Sequence, residues 1–552
     1  MKKNKKFKLI MSGVSSAVLL VCIWFFDFLN EEIRFSRQSG FYEEPFYLEI
    51  SAGRNEEIYY TLNGSIPDRN SPLSYKYEEP IYLDNASVKD NIWANASDMS
   101  EYFYDMQPEY RIDKAHIIRA IAYDEEGNMG EIISGTYFVG LERKKYENIP
   151  VISLVVEPDD FWGNENGIYV KGITYDNFPE LTDTETVRPS DYAANYNQHG
   201  RKWERECLFQ YFPPGAKENY SQNLGIRIKG AYSRNFAQKS LNLYARNVYG
   251  IDEINCDFFN EGDLFIKESS ITLNACGWDK KTKLKDALVS KIVDGLDIVN
   301  IKHIPCIVFL NGEYWGVYQL TENPNANYIS NHYGIDKDNV VIIKNGELTE
   351  GTETDFDEYQ EMLKWVQTTD LSEDGSYEKI ESLIDVQSFM DYYAVEIYIN
   401  NCDWPDNNVA MWKSREKGPH NCEDSKWRWI LFDLNDGKCM RVDKTNAGIQ
   451  EDVYEDILFS GFMRNERFRK EFIENFERIA EENFEKKYVQ ATTMEMAEYM
   501  KFYLEEDYRR FRNMYSLEGD FETALDSIEQ FLKNRGPFII EHVNDLDCIY
   551  SG

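Results

Sequence analysis

The sequence predicts an α+β protein whose first half is rich in strands and whose second half is helical. Three observations predict this: strand-like alternation up to about residue 320, one amphipathic helix at Leu284–Leu296, and helical periodicity over 356–399 and 453–543. The chain has 552 residues, more than one hydrophobic core usually holds, so we expect two or more domains. Its hydrophobic content of 42% and aromatic content of 15% are typical of folded protein.

Residues 38–142 are predicted to form a small immunoglobulin-like β-sandwich, because short alternating segments are separated by turn residues. The strand signals are Phe46–Ile50, Ile58–Leu62, Ile117–Tyr123 and Thr136–Val139, with a turn at Asn63–Gly64. The aromatic side chains of this segment fit a core and its hairpins, and a sugar-stacking surface is the alternative.

Residues 148–545 are predicted to form a second, larger unit. Its strand signals are Cys207–Phe212, Leu224–Lys229, Ser240–Tyr244, and the hairpin Ile304–Leu310 with Tyr314–Leu320 around Asn311–Gly312. A β-rich lobe over about 148–322 that contains one helix and a hairpin, followed by a helical lobe over about 323–545, is the order of a two-lobed protein kinase. The sequence therefore predicts a protein-kinase-like fold for this unit.

A loop in the helical half carries residue types that phosphoryl transfer needs. One carboxylate must orient or deprotonate the acceptor hydroxyl, while an amide oxygen and a second carboxylate hold the metal. Asp403 and Asn408 are five residues apart, as are the catalytic Asp and metal-binding Asn of protein kinases. The apolar strand Trp427–Phe432 then leads to Asp433. The chain has no Gly-rich or Walker-type phosphate loop, which argues against a P-loop enzyme.

Several segments of the larger unit follow the motifs of a known family. They are Ile149–Leu154, Gly225–Gly230, Ser233–Arg234 with Gln238–Leu241, Leu310–Tyr318 with Glu322, Asp403–Trp404 with Asn407–Asn408, and Trp427–Trp429 leading to Asp433–Leu434. Together they resemble the CotH family, the atypical kinases of bacterial spore coats. The smaller unit, through 58–68 and 77–81, resembles the module at the C-terminus of chitobiases and related hexosaminidases.

The resemblance to CotH implies a kinase that uses ATP and Mg²⁺ (or Mn²⁺) to phosphorylate Ser or Thr in spore-coat or cell-surface proteins. It implies that Asp403 is the catalytic carboxylate and that Asn408 and Asp433 bind the metal. Asn435 stands where the family usually carries another Asp. Asn435 could still ligate a metal through its carbonyl oxygen, and Asp436 could supply the missing charge.

The resemblance also implies nucleotide-binding residues. Trp427 matches a tryptophan that stacks on the base, and Glu322 falls at the expected hinge. Lys239 begins the third strand of the β-rich lobe, where a kinase keeps its phosphate-binding lysine. Lys229 is the alternative lysine, and Arg234 could reach a phosphate. The acidic partner of the lysine stays open between Asp286 and Asp279.

The net charge and the N-terminal segment limit which partners and which location are expected. The net charge of −37 repels nucleic acid and anionic lipid, so we expect no nucleic-acid partner and expect that a basic, Ser/Lys-rich protein substrate fits best. Lysines at 2–8 precede an uncharged run over 9–26, which predicts a retained signal anchor within residues 1–30. The protein is then expected to be membrane-anchored, with most of the chain outside the cytoplasm, and cleavage of the anchor is the alternative.

Two further expectations follow. The nine cysteines and six histidines are dispersed, so the sequence predicts neither a disulfide scaffold nor a structural zinc site. Because extracytoplasmic space contains little ATP, a second function stays open. In it, the protein would be a membrane-tethered, non-catalytic surface protein whose β-module and degenerate kinase fold bind carbohydrate or partner proteins.

Overall fold

The computed structural model describes residues 32–100, 107–177, 193–215, 218–259, 267–511 and 516–551. The predicted signal anchor at 1–30 lies outside the described residues. In the described part of the chain, no helix is both long and apolar enough to cross a membrane.

The N-terminal module is all-β and has its own apolar core. Its strands are β1 Arg34–Phe35, β2 Gly40–Tyr42, β3 Phe46–Leu48, β4 Ile50–Ser51, β5 Glu57–Thr61, β6 Tyr75–Lys76, β7 Ile81–Leu83, β8 His116–Tyr123 and β9 Ile133–Val139. A five-stranded sheet in the order β2-β9-β8-β5-β6 accompanies the pairs β3-β7 and β1-β4. Side chains of β3 and β7 share one core with those of β5, β8 and β9, so the sheets pack face to face.

The next seven long strands close into a barrel, in the order β10-β11-β12-β13-β14-β17-β16. They are β10 Val151–Val156, β11 Arg205–Phe212, β12 Tyr220–Lys229, β13 Ser240–Tyr244, β14 Ser270–Asn274, β16 His303–Leu310 and β17 Glu313–Glu322. The helices α1 Pro158–Trp162, α2 Gly172–Asp176 and α3 Lys285–Ile292 belong to this lobe, while the short β15 Val299–Asn300 joins another sheet. Closure depends on β10, which pairs antiparallel with β11 and parallel with β16.

The C-terminal lobe is mainly helical and contains a five-stranded sheet in the order β15-β21-β20-β18-β19. Residues of this sheet and of the barrel line the same cavity. Its elements are α4 Ala326–Tyr333, β18 Val340–Lys344, β19 Glu347–Glu350, α5 Glu353–Thr368, α6 Asp374–Leu383, α7 Val386–Ile399, β20 Ala410–Ser414, β21 Arg428–Leu431, α8 Glu451–Glu455, α9 Ile457–Phe462, α10 Glu466–Glu482, α11 Lys486–Arg510, α12 Glu522–Asn534 and α13 Gly536–Tyr550. Every residue of α7 from Ser388 onward is buried, so α7 is the centre of this lobe. The described residues thus form a mixed α+β structure with a β-rich beginning and a helical end.

A buried ion pair joins the helical lobe to the barrel. Asp507 on α11 lies 3.1 Å from the Nζ of Lys283, just before α3, and accepts a hydrogen bond from the backbone N–H of Val317 on β17 at 2.7 Å. Both charged side chains are almost completely buried. Because removing one partner of such a pair leaves an uncompensated buried charge, this contact strongly constrains how the two lobes meet.

Candidate functional site

A cavity of about 760 Å³ lies between the barrel and the helical lobe. Its barrel side includes the end of β12 and the following turn over 230–234, and its other side includes the loop after α7 and the turn after β21. Ligand sites of small molecules typically have volumes of about 300–1,000 Å³, so this cavity is large enough for a nucleotide.

The loop that carries Asp403 begins where the central helix α7 ends. Asn400 ends the helix in the left-handed conformation (φ 51°), which Asn tolerates better than most residues. The amide of the next residue, Asn401, donates to the buried carboxylate of Glu396 at 2.9 Å, and its oxygen accepts the backbone N–H of Asp403 at 3.2 Å. The loop is therefore fixed to the core helix directly before Asp403.

Asn408 connects the two aspartates of the predicted site. Its side-chain amide donates to Oδ2 of Asp403 at 3.0 Å and to the backbone carbonyl of Asp433 at 3.3 Å. The backbone carbonyl of Asn408 accepts a hydrogen bond from the hydroxyl of Tyr392 on α7 at 3.2 Å. Because the amide nitrogen makes both contacts, the amide oxygen of Asn408 is the atom left to face a ligand. The structure thus brings Asp403, Asn408 and Asp433 together at one wall of the cavity.

Asp433 follows β21 in the left-handed conformation (φ 58°), which directs its side chain into the cavity. A left-handed non-glycine residue costs about 1–2 kcal/mol, which the packing around this turn must offset. The carboxyl is open to solvent on the cavity side but otherwise enclosed by protein. This enclosure raises the pKa of Asp433, which the positive charges of Lys229 and Lys344 lower in part.

Behind Asp433 lies a second carboxylate, Asp286 in the first turn of α3. It accepts the backbone N–H of Leu434 and the side-chain amide of Asn435, both at 2.6 Å. Burial, together with the nearby charge of Asp433, raises the pKa of Asp286 to about 7. Asn435 therefore has a clear local role: it gives this buried carboxylate a neutral hydrogen-bond donor.

Asp436 completes the acidic group. It lines the cavity, and its negative charge raises the pKa of both Asp403 and Asp433, in each case after the larger effect of burial. Asp403, Asp433 and Asp436 thus form an acidic region in which a bound cation is favoured. Carboxylate and amide oxygens are the ligands that Mg²⁺ prefers, so the donor set fits a divalent metal held by Asn408, Asp433 and Asp436.

Two lysines approach the same cavity. Lys229 ends β12, where its Nζ lies 3.3 Å from the hydroxyl of Thr272, and burial lowers its pKa to about 8. Lys344 ends β18, and its Nζ lies 4.3 Å from the ring centre of Phe432. Lys229 was the alternative phosphate-binding lysine in the sequence. Lys344 was missed, and its only signal was a charged residue at the end of an apolar strand.

Lys239, the lysine that the sequence favoured, does not line the cavity. Its side chain is fully buried, and its ammonium donates to the backbone carbonyls of Met99 at 2.7 Å, Arg234 at 2.5 Å and Phe236 at 2.7 Å. Three carbonyl partners leave this ammonium no proton for a phosphate. The geometry therefore favours Lys229 over Lys239 as the lysine of the site.

Trp427 also lies away from the cavity. It is 3% exposed, belongs to the core of the helical lobe, and packs edge-to-face on Tyr359 at 5.8 Å. A base cannot stack on a ring that is covered on this scale, so the core interpretation fits the structure better than the nucleotide interpretation. The cavity instead exposes a different aromatic pair that the sequence did not single out: Trp278, 46% exposed, stacked on Tyr232 at 5.4 Å.

Arg234 and Glu322 both line the cavity, but each has other partners. The guanidinium of Arg234 donates to the carbonyls of Gly230, Tyr196 and Gln198, so it stabilises the loop over the cavity. Glu322 ends β17, and its Oε2 accepts the backbone N–H of Lys302 at 2.9 Å.

Two protein-family models match parts of this chain. A family model described as CotH kinase protein matches residues 226–539, more than half of the chain. This chain belongs to the CotH kinase protein family. The match contains Asp403, Asn408, Asp433 and Lys229, so these site residues lie within the CotH region, while the part of the cavity lining at 198–200 precedes it. A second model, described as Fn3 associated, matches residues 47–137 and so identifies an Fn3-associated domain within the predicted β-module, without naming a chitobiase-like module. No curated protein matches the chain.

Proposed function

We propose that this CotH-family protein is an atypical protein Ser/Thr kinase that transfers the γ-phosphate of ATP to spore-coat or cell-surface proteins. One observation carries the proposal. The amide of Asn408 joins the carboxylate of Asp403 to the backbone of Asp433 at one wall of the cavity between the lobes. Kinases use a constellation of this kind, with a base, an amide ligand and a residue that carries a metal-binding carboxylate brought to one place.

In this proposal Asp403 is the catalytic residue. It orients the acceptor hydroxyl and accepts its proton, and the amides of Asn407 and Asn408 hold its Oδ2 at 3.1 and 3.0 Å. Asp433, Asn408 and Asp436 would hold Mg²⁺ or Mn²⁺. When bound there, the metal would neutralise charge on the phosphates.

Two lysines that line the cavity support binding of the phosphates of ATP: Lys229 on the barrel strand β12 and Lys344 on β18 of the other lobe. The positive charges of Lys229 and Lys344 both lower the pKa of Asp433, which burial raises, so the two lysines lie near the acidic group. The negative charge of Asp286 on α3 raises the pKa of Lys229, which burial lowers. This arrangement parallels the lysine–glutamate pair between a strand and a helix in protein kinases. Of the two aspartates that the sequence left open as the lysine's partner, the proposal takes Asp286, because Asp279 instead accepts the backbone N–H groups of Leu284 and Lys285.

The acceptor protein is proposed to be basic. The net charge of −37 would attract a Ser/Lys-rich coat or surface protein and repel nucleic acid. With the predicted N-terminal anchor, the protein would act at the membrane, outside the cytoplasm.

The test is phosphate transfer by the full-length chain. Labelled ATP with Mg²⁺ or Mn²⁺ should label a Ser/Lys-rich peptide, or the protein itself. Asp403→Asn and Asp433→Asn should each remove the transfer, because one loses the base and the other a metal ligand. Asp406→Asn is the matched control: it makes the same change in the same loop, at a residue that does not line the cavity, and should remain active.

The binding-protein alternative is supported by one feature of the N-terminal module. Tyr47 on β3 and Tyr82 on β7 are cross-strand partners, are 64% and 52% exposed, and have ring centres 5.1 Å apart. Two adjacent exposed aromatic faces can stack on a carbohydrate. Glycan binding that is lost in Tyr47→Ala, in a protein that neither binds ATP with any metal nor transfers phosphate, would favour the alternative over the kinase.

A further inference from the structure

Three ionisable side chains from separate parts of the chain meet beside the cavity. Glu268 lies just before β14, Glu322 ends β17, and His332 lies on α4. One ligand atom of each lies within 4.8 Å of the others, and the Nε2 of His332 is 3.5 Å from Glu322 and 3.9 Å from Glu268. This cluster is separate from Asp403, Asn408 and Asp433, and the dispersed positions of the histidines along the chain did not predict it.

The histidine of this cluster presents an unsatisfied nitrogen. Its Nε2 is buried and has no hydrogen-bond partner among the described residues. The ring is held by Tyr328, which stacks on it with centres 3.9 Å apart. The carboxylates at 3.5 and 3.9 Å are within ion-pair distance of this nitrogen but make no hydrogen bond with it. A buried polar nitrogen without a hydrogen bond is costly, and a bound ion is one way to remove that cost.

The spacing fits a metal ion. Zn²⁺ binds nitrogen and carboxylate oxygen at about 2.0–2.2 Å in tetrahedral geometry, which places neighbouring ligand atoms about 3.3–3.5 Å apart. The distance from His332 to Glu322 already has this value, and that to Glu268 exceeds it by a few tenths of an ångström. A small side-chain adjustment would bring all three atoms onto one ion.

The surroundings also fit a metal ion. Oε2 of Glu322 accepts the backbone N–H of Lys302, which helps to fix the carboxylate, and Oε1 lies 3.5 Å from Nε2 of His332. Partners of this kind orient metal ligands. Because Glu322 lines the cavity, water and ions can reach the cluster from there.

We propose that Glu268, Glu322 and His332 form a second metal site that binds a divalent transition ion of the Zn²⁺ type. Water from the cavity is the fourth ligand. The imidazole selects such an ion over Mg²⁺, which favours all-oxygen ligands. The site would tie α4 of the helical lobe to the ends of β14 and β17, and so would stabilise the boundary between the lobes.

The experiment uses the full-length protein, stripped with chelator and titrated with ZnCl₂ by calorimetry. The wild-type chain should bind one equivalent that His332→Ala loses or binds at least tenfold more weakly, and Zn²⁺ should raise the Tm of the wild type only. Glu268→Gln, which keeps the shape of the side chain, should weaken binding similarly and serves if His332→Ala does not fold. Co²⁺ should give the absorption bands of a low-symmetry site in the wild type.

Two controls separate this site from others. His542→Ala changes an exposed histidine on α13 and should leave binding unchanged. Asp433→Asn disrupts the proposed kinase site and should also retain the Zn²⁺ equivalent, so failure of one proposal does not imply failure of the other. Wild-type protein that binds Zn²⁺ no more tightly than both His332→Ala and Glu268→Gln would overturn the proposal, and the cluster would then be an ion pair of a protonated histidine.

Discussion

The role of Asn435 gives the sharpest prediction. Asn435→Asp restores the residue that CotH proteins usually carry, yet we expect it to destabilise the metal-free protein. The side-chain amide of Asn435 donates to Asp286 at 2.6 Å, and both residues are about 95% buried. The substitution replaces a donor with a second carboxylate at the same place.

The magnitude follows from two costs. Losing a hydrogen bond to a charged group costs about 1.5–3 kcal/mol. Two charges at the observed 2.6 Å would repel by about 6 kcal/mol at an effective dielectric constant of about 20. The pair can avoid part of this repulsion by keeping a proton, so we expect the free energy of unfolding to fall by about 2–6 kcal/mol near pH 8.

The effect should depend on pH in one direction. A second carboxylate raises the pKa of Asp286 further above its present value of about 7. A carboxyl whose pKa is raised on folding costs no stability below its unfolded pKa of about 4, and the cost grows as the pH rises towards the folded pKa. The difference between wild type and Asn435→Asp should therefore be small near pH 5 and large near pH 8.

The assay is urea unfolding, followed by tryptophan fluorescence, in chelator at both pH values and then with Mg²⁺ or Mn²⁺. The metal should recover much of the lost stability, because it can lie between the carboxylates. A variant as stable as the wild type in chelator near pH 8 would refute the reasoning, and so would a loss of stability that is the same near pH 5.

Three further predictions follow from the site and its neighbours. Lys229→Met should weaken ATP binding with little change in stability. Lys239→Met should instead lower the unfolding free energy by more than about 3 kcal/mol, since three buried carbonyls lose their donor. A thermal-shift titration with ATP measures the first effect and urea unfolding the second, and the reverse pattern would restore Lys239 to the site. Trp427→Ala should lower the free energy of unfolding by about 3–5 kcal/mol, as expected for a core substitution. Trp278→Ala should leave the urea midpoint unchanged, and a shifted midpoint would contradict the structure. Glu313→Gln should loosen the contact between the Fn3-associated domain and the barrel, because the buried carboxylate accepts two backbone N–H groups of that domain at 2.6 Å. The rate of amide hydrogen exchange over 92–94 should rise. Unchanged protection would argue against this contact as the main link.

Local sequence patterns were enough for most secondary structure. Ser240–Tyr244 is observed as predicted. In the hairpin around Asn311–Gly312, β16 begins one residue earlier than predicted, and β17 begins one residue earlier and ends two residues later. The predicted strand Phe46–Ile50 is broken at Glu49 into β3 and β4, which pair with different strands. The closure of the barrel was not predicted, because the parallel pairing of β10 with β16 joins segments about 150 residues apart and leaves no local signal.

The candidate site divides in the same way. By itself, the sequence determined the part that depends on short spacing: Asp403 and Asn408 share one loop after a helix, and Asp433 follows a strand closely. Only the tertiary structure decided which lysine faces the cavity, that Trp427 lies in the core, and that Glu268, Glu322 and His332 meet. The reason is physical: spacing along a chain fixes which residues share a loop, but the direction of a side chain depends on which face of its element packs against distant segments.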